Sequence, residues 1–422
     1  MRMGTNFAWS LMGNIVYGAS QWAMLIFLAK LGSPAMVGSF TLALAICAPV
    51  VIFTNLQLRN ILSTDVEQQF RFRSYVELRL FCSCIAMLII VTLTIVMQYP
   101  PDRAVIILLI GMAKVIESIS DILYGRLQRM ERLDIVAKST ILKGLGSVAV
   151  TVCCLYLTHN LLWTIAAYTM VWLLLLLFYD LPKARQVGDE TGKNIREGRI
   201  IEAAAIKRML VMALPLGAAG FLDTFNANLP RYFVEQHVGV TELGYFSAIV
   251  YIMIAGAMVV SAIGQSVTPR LAKYFSRDRH AFGVLFRKVM LLGAGISLVS
   301  VLIPLFFGSE LLAVIYTPEY SGYNRVFQWS MLGGALWYVA SFLECGIYAI
   351  RNFKVQTPIL ICVVASTCIS LYLLLPRYAL VGAAVSICIG MLVRLLGGII
   401  IFTYLYMLSG RRREARESYS CQ

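Results

Sequence analysis

Twelve runs of about 20 mostly apolar residues follow one another along the chain, at 7–29, 36–57, 76–98, 104–125, 134–157, 161–180, 208–230, 240–264, 284–307, 326–350, 355–376 and 379–409. As a helix, each is long enough to cross the roughly 30 Å hydrocarbon core of a bilayer. Little else is left from which a water-facing surface could be made. Of the 422 residues only 14% are charged and 59% are hydrophobic, against about 25% charged in soluble domains. The expected fold is therefore all-α, a polytopic membrane protein. The first run is preceded by Arg2 but is not followed by a small-residue cleavage site, so it reads as a retained helix rather than a signal peptide.

The charges show which way the chain is threaded. A formal net charge of +14 would suggest nucleic acid in a soluble protein, but here the basic residues are spread over the connections. With both termini inside, 28 Lys and Arg fall on the cytoplasmic side and five on the other: Lys30, Arg103, Arg231, Arg325 and Arg377. That bias orients the chain with both ends cytoplasmic. No nucleic-acid partner is expected.

The longest polar stretch, 181–207, divides the runs into six and six. This gives an amino-terminal lobe (1–180), a cytoplasmic linker (181–207), a carboxy-terminal lobe (208–409) and a basic tail (410–422). The halves share a local pattern. FLAKLGSPAMVGSF around Gly38 and FVEQHVGVTELGYF around Gly244 match at Phe27/Phe233, Gly38/Gly244 and Phe40/Phe246, at a constant offset of 206 residues. With an even number of helices per half, such repeats run parallel about an axis along the membrane normal. Two similar bundles of this kind suit an alternating-access carrier.

No catalytic or metal set emerges. The ten Cys include no CxxC pair and lie mostly in apolar runs, and His159, His237 and His280 form no helical pair. There is no P-loop, nucleophile elbow or zinc spacing. The connections are too short for an extramembrane catalytic domain. Neither enzyme activity nor a cofactor is expected.

Charges inside the runs are more informative, since each costs about 2.5–3.5 kcal/mol on insertion scales. Lys114, Glu117 and Asp121 stand at i, i+3 and i+7 in the fourth run, and Gly125, Gln128 and Arg132 continue the same face. They point to the wall of a hydrated cavity, with Lys114 available to an anionic head group. The bland alternative is a Lys114–Glu117 bridge, which leaves Asp121 unpaired. In the seventh run Asp223 follows Pro215 and the Gly217/Gly220 pair, the makings of a bent helix beside a coupling carboxylate or of a polar helix contact. Arg394, mid-way along the twelfth run, either binds phosphate or pairs with Glu344 or Asp223. Lys143 lies about 13 Å from the cytoplasmic end of its helix, at 1.5 Å per residue, within snorkelling reach. Arg231 reads as interfacial.

GNIVYGASQWAMLIFLAKLGSPAMVGSFTLALAICAPVVIFTNLQLRNILSTD resembles the start of the polysaccharide-biosynthesis flippases of the multidrug/oligosaccharidyl-lipid/polysaccharide (MOP) exporter superfamily. ESISDILYGRLQRMERLDIVAKS resembles their charged fourth-helix segment. NLPRYFVEQHVGVTELGYFSAIVYI, followed by QSVTPRLAKYF, resembles their seventh and eighth helices. The resemblance implies a two-lobed, MATE-like carrier of about twelve helices in a bacterial inner membrane. It would move undecaprenyl-diphosphate-linked oligosaccharides outward, beside a polysaccharide polymerase and glycosyltransferases, with Arg59 and Arg270 at the inner mouth. On this basis Arg59, Lys114, Arg270 and Arg394 are the expected head-group residues. Glu117, Asp121, Asp223 and Glu344 are expected to line the path or couple ions. The chain is shorter than the fourteen-helix peptidoglycan-precursor flippases, and its first helix lacks their charged residues. The alternatives are a cation-coupled multidrug antiporter relying on the carboxylates, or an intramembrane glycan polymerase or ligase.

Overall fold

A computed structural model describes residues 3–65, 70–190, 203–350 and 356–420, with side chains for 8–65, 70–187, 206–350 and 357–407. Part of the expected linker, and Arg351 and Lys354 of the charge count, lie outside the described residues. Every regular element among the described residues is helical. The chain runs through α1 (Met3–Leu31), α2 (Pro34–Asn55), the short α3 (Leu58–Thr64), α4 (Phe72–Val96), α5 (Pro101–Arg129), α6 (Leu133–Thr158) and α7 (Leu161–Leu175). A π turn (Leu176–Asp180) joins α7 to α8 (Leu181–Glu190). Then come α9 (Ala203–His237), α10 (Val240–Arg277), α11 (Arg279–Ile315), α12 (Asn324–Ala349) and α13 (Gln356–Ser420).

Ten of the apolar helical stretches are long enough to cross a membrane. Two further helices of spanning length lie outside that number. α13 is broken at Ala379 (φ 48°, ψ −131°), three residues after Pro376, and each side is long enough to span. α5 has the length but carries three charges in its middle. The described chain therefore contains the twelve segments that its hydropathy implies.

Local chemistry sets several boundaries. Ser33 caps α2 by accepting from the Met36 amide, with Pro34 at the first helical position. Asn160 and Asp278 do the same for α7 and α11. Leu56 and Gln57, both at positive φ, turn the chain sharply from α2 into α3. The stretch 181–190, expected as connection, is helical because Ala184 and Val187 fall one turn apart and are buried, Val187 packing with Tyr124, Leu127 and Ile135.

Contacts divide the chain into two compact units, 1–235 with 239–247, and 236–238 with 248–422. In the first, α5 touches α2, α3, α4, α6, α7 and α8 and forms the axis of the unit. α9 groups here because Met209 and Ala213 join the core of Leu56, Leu58 and Leu62, Phe221 stacks edge-on with Phe53, and Tyr232 donates to the Ala45 carbonyl. The matched glycines meet in this unit. A Cβ on Gly38 would lie 1.8 Å from the Val240 carbonyl oxygen, and one on Gly244 would lie 1.8 Å from that of Pro34. Pro34/Val240 and Gly38/Gly244 share the same offset, so equivalent residues of the two repeats touch reciprocally, as across a two-fold axis.

In the second unit α12 packs on α11 and α13. Phe282, Phe286, Phe402 and Tyr406 stack, and Arg279 lies over the rings of Phe275 and Tyr406. Tyr338 is buried and donates to the Met253 carbonyl at 2.7 Å, over the bare Gly256.

Candidate functional site

The polar face expected on the fourth run is present along α5 as far as Gln128, and three layers of contacts build on it; Arg132 lies past the end of α5 and pairs with Asp134 at 3.2 Å instead. At the first, Lys114 Nζ is 2.6 Å from Glu117 Oε2, the i, i+3 bridge, and Tyr17 of α1 donates to Glu117 Oε1 at 3.4 Å. One turn on, Asp121 does not lack a partner: its carboxylate is shared between two guanidiniums from other helices. Arg59 Nη1 of α3 lies 3.1 Å from Oδ1 and Arg79 Nη2 of α4 lies 3.6 Å from Oδ2. Arg59 is also held by Gln128, Nε to Oε1 at 3.2 Å. The glycine at 125 allows this approach, because its missing side chain leaves room for the Arg59 backbone, 3.3 Å from where a Cβ would sit.

Arg59 and Arg79 are chemically different although they share a carboxylate. The Arg59 and Asp121 side chains are 33% and 29% exposed, whereas Arg79 is 1% exposed. Arg79 also donates to Asn55 Oδ1 and, at 3.1 Å, to Ser118 Oγ, both neutral. Arg79 is one of the 28 cations counted to the cytoplasmic side, and that assignment is corrected: α4 starts at Phe72, and Arg79 is two turns inside it, against Asn55 of α2 and Ser118 of α5.

The third layer is fully enclosed. Lys143 of α6 and Asp180 of the π turn are 1% and 2% exposed and 2.6 Å apart. Lys143 Nζ also donates to Ser120 Oγ at 2.6 Å and to Tyr124 OH at 2.8 Å, Ser139 Oγ donates to Asp180 Oδ1, and Trp172 covers the ammonium at 5.0 Å from its ring centre. Lys143 therefore does not snorkel, since its counter-charge lies in the core. The extra residue of the π turn resets the helix face by roughly 100°, a shift that apolar periodicity does not announce.

In the second unit, Arg394 forms a fork with Glu344, Nε to Oε1 at 2.7 Å and Nη2 to Oε2 at 3.2 Å. This is one of the two carboxylate pairings, with Glu344 or Asp223, that sequence offered as the alternative to phosphate binding, and it joins α12 to α13. Arg270 is exposed on α10, immediately after Pro269. Asp223 is exposed on α9 of the first unit. Arg231, expected at the interface, is buried and donates to Asn228 Oδ1.

The sequence-derived residues thus come together as Arg59–Asp121, Lys114–Glu117 and Arg394–Glu344. Arg79 and Asp180 were missed as partners. The signal for Asp180 was a lysine inside an apolar run with no carboxylate within two turns of it on its own helix. Chemically, the pairs sort by exchangeability. Partly exposed pairs are worth about 0–1 kcal/mol, and an incoming anion can take the cation over. Removing one partner of a buried pair costs about 3–5 kcal/mol. Arg59 and Lys114 belong to the first class, Arg79 and Lys143 to the second.

Comparison with known proteins gives a consistent picture. Residues 3–275 match the family described as "Polysaccharide biosynthesis protein". The chain is 26% identical over 399 residues to the capsular polysaccharide biosynthesis protein CapF of Staphylococcus aureus, covering 93% of this chain and 98% of that one. Among solved structures it is similar to the lipid II flippase MurJ in an inward closed conformation (TM-score 0.72, 11% identity, 96% of this chain and 90% of that chain). It is equally similar to an inward-facing multidrug resistance MATE family transporter of the MOP superfamily (TM-score 0.71, 12% identity, 95% and 96%). At such identities these structures speak for the fold alone, that of a multi-pass membrane protein.

Proposed function

The chain belongs to the polysaccharide biosynthesis protein family, and from that membership and the polar face of α5 we propose that it is a flippase for undecaprenyl-diphosphate-linked oligosaccharides. It works in a bacterial inner membrane with both termini cytoplasmic, serving surface polysaccharide synthesis by alternating access of two six-helix lobes, and carries out no bond chemistry of its own. The observation that carries the reading is the pair of exchangeable cations, Lys114 on the polar face of α5 and Arg59 of α3 held against that face by Asp121. A diphosphate needs cations that can leave their present partners without stranding a buried charge, and these two meet that condition. Arg270 supplies an exposed guanidinium in the second unit. Arg394 is the less available cation, since opening its fork with Glu344 costs two charge-assisted hydrogen bonds. The carboxylates Glu117, Asp121 and Glu344 already hold cations, which weighs against an antiporter built on free acids. Membrane lipids, a polymerase and glycosyltransferases are the proposed neighbours.

Lys114→Ala is expected to reduce surface glycan several-fold at unchanged protein level. Glu117 is itself partly exposed, so losing the bridge costs less than about 1 kcal/mol of stability. Normal surface glycan in this variant would remove Lys114 from the mechanism.

A further inference from the structure

On the reading that Arg59 meets the lipid head group, we propose that Asp121 is an exchangeable internal counter-ion. It holds Arg59 in the substrate-free carrier, yields it to a phosphate, and keeps Arg79 neutralised while the phosphate is bound.

The carboxylate is placed for this double duty. Its two oxygens address different guanidiniums, Oδ1 that of Arg59 at 3.1 Å and Oδ2 that of Arg79 at 3.6 Å. The two cations differ in what they lose if it moves. Arg79 is buried, and its other side-chain partners, Asn55 and Ser118, are neutral, so without Asp121 its charge would be stranded in the helix bundle. Arg59 reaches solvent, and its second anchor is the neutral Gln128. An anion arriving at Arg59 therefore competes with one carboxylate oxygen only, and every buried charge stays compensated throughout the exchange. The cluster of two guanidiniums and one carboxylate carries one net positive charge before binding, against the negative charges of a diphosphate.

Such a device trades affinity for release. A bare Arg59 would hold phosphate more firmly, and a carrier that binds too firmly does not let go on the far side. Asp121 sets the affinity without being the group that touches the ligand in the bound state, and so acts as a positioning residue.

The experiment uses the purified full-length chain and farnesyl diphosphate as a soluble isoprenyl diphosphate probe. Asp121→Asn is expected to bind it about fivefold more tightly than wild type, the conversion of the roughly 1 kcal/mol of a partly exposed pair, while export of surface glycan falls. Asp121→Glu, which restores the carboxylate, returns affinity to near wild type. Should Asp121→Asn fail to fold because Arg79 is left charged, Arg79→Met with Asp121→Asn removes both members of the buried contact and carries the same expected tightening. Unchanged or weaker binding in these variants overturns the counter-ion role. Arg59→Gln, measured in parallel, separates the two ideas. If it binds the probe as wild type does, the head-group reading itself fails. If it binds weakly while Asp121→Asn shows no tightening, only the counter-ion fails.

Discussion

Asp180→Ala is expected to remove about 3–5 kcal/mol of stability. The substitution leaves the Lys143 ammonium, 1% exposed, with only the neutral oxygens of Ser120 and Tyr124 as partners. The rings of Trp172 and Tyr124 also cover it, their centres 5.0 and 5.1 Å away. Lys143→Met combined with Asp180→Leu should recover most of the loss, since an apolar pair of similar volume replaces a buried ion pair at little or no cost. Thermal unfolding of the detergent-purified protein reads both variants. A single variant melting within a degree of wild type would show that the pair is not load-carrying for the fold.

Gly38→Val should be nearly as damaging, for a steric reason. The new Cβ would sit 1.8 Å from the Val240 carbonyl oxygen, a backbone atom that cannot rotate away. Overpacking a core usually costs about 1–3 kcal/mol, and here the only relief is separation of α2 from α10. Gly244→Val meets the Pro34 carbonyl in the same way. Gly283 of α11, beside which a Cβ has nothing within 4 Å, is the matched control. Its replacement by Ala should leave both folding and surface glycan unchanged. The measurement is the yield of monodisperse protein together with surface glycan in cells. Wild-type values for Gly38→Val would show that the close crossing is dispensable.

How much of this was legible in the sequence depends on how far apart the partners lie. The twelve crossings were readable because bilayer thickness fixes their length, and the α5 charges because each is costly in hydrocarbon. The Lys114–Glu117 bridge follows from i, i+3 geometry alone. The partners of Asp121 do not: Arg59 is 62 residues away, and an arginine near a helix end is naturally credited to the cytoplasmic connection. Arg79 was hidden by that counting, and Asp180 by a π turn that composition does not signal. The repeat around Gly38 and Gly244 was visible as a pattern. Its cause, two chain segments crossing at backbone contact, required three dimensions. Arg394 could be narrowed by sequence to a phosphate or a carboxylate, and the structure places it on Glu344.

The flippase reading is tested most directly by the leaflet in which lipid-linked oligosaccharides collect. In cells lacking this chain, an impermeant probe added from outside should leave complete repeat units unmodified, because they are trapped on the cytoplasmic leaflet. Restoring the wild-type chain should make them reactive, and restoring Arg59→Gln should not. Complete but unpolymerised units accessible to the probe in the deletion cells would contradict a flippase and favour a polymerase. No accumulation at all would equally contradict it and point to small-molecule export.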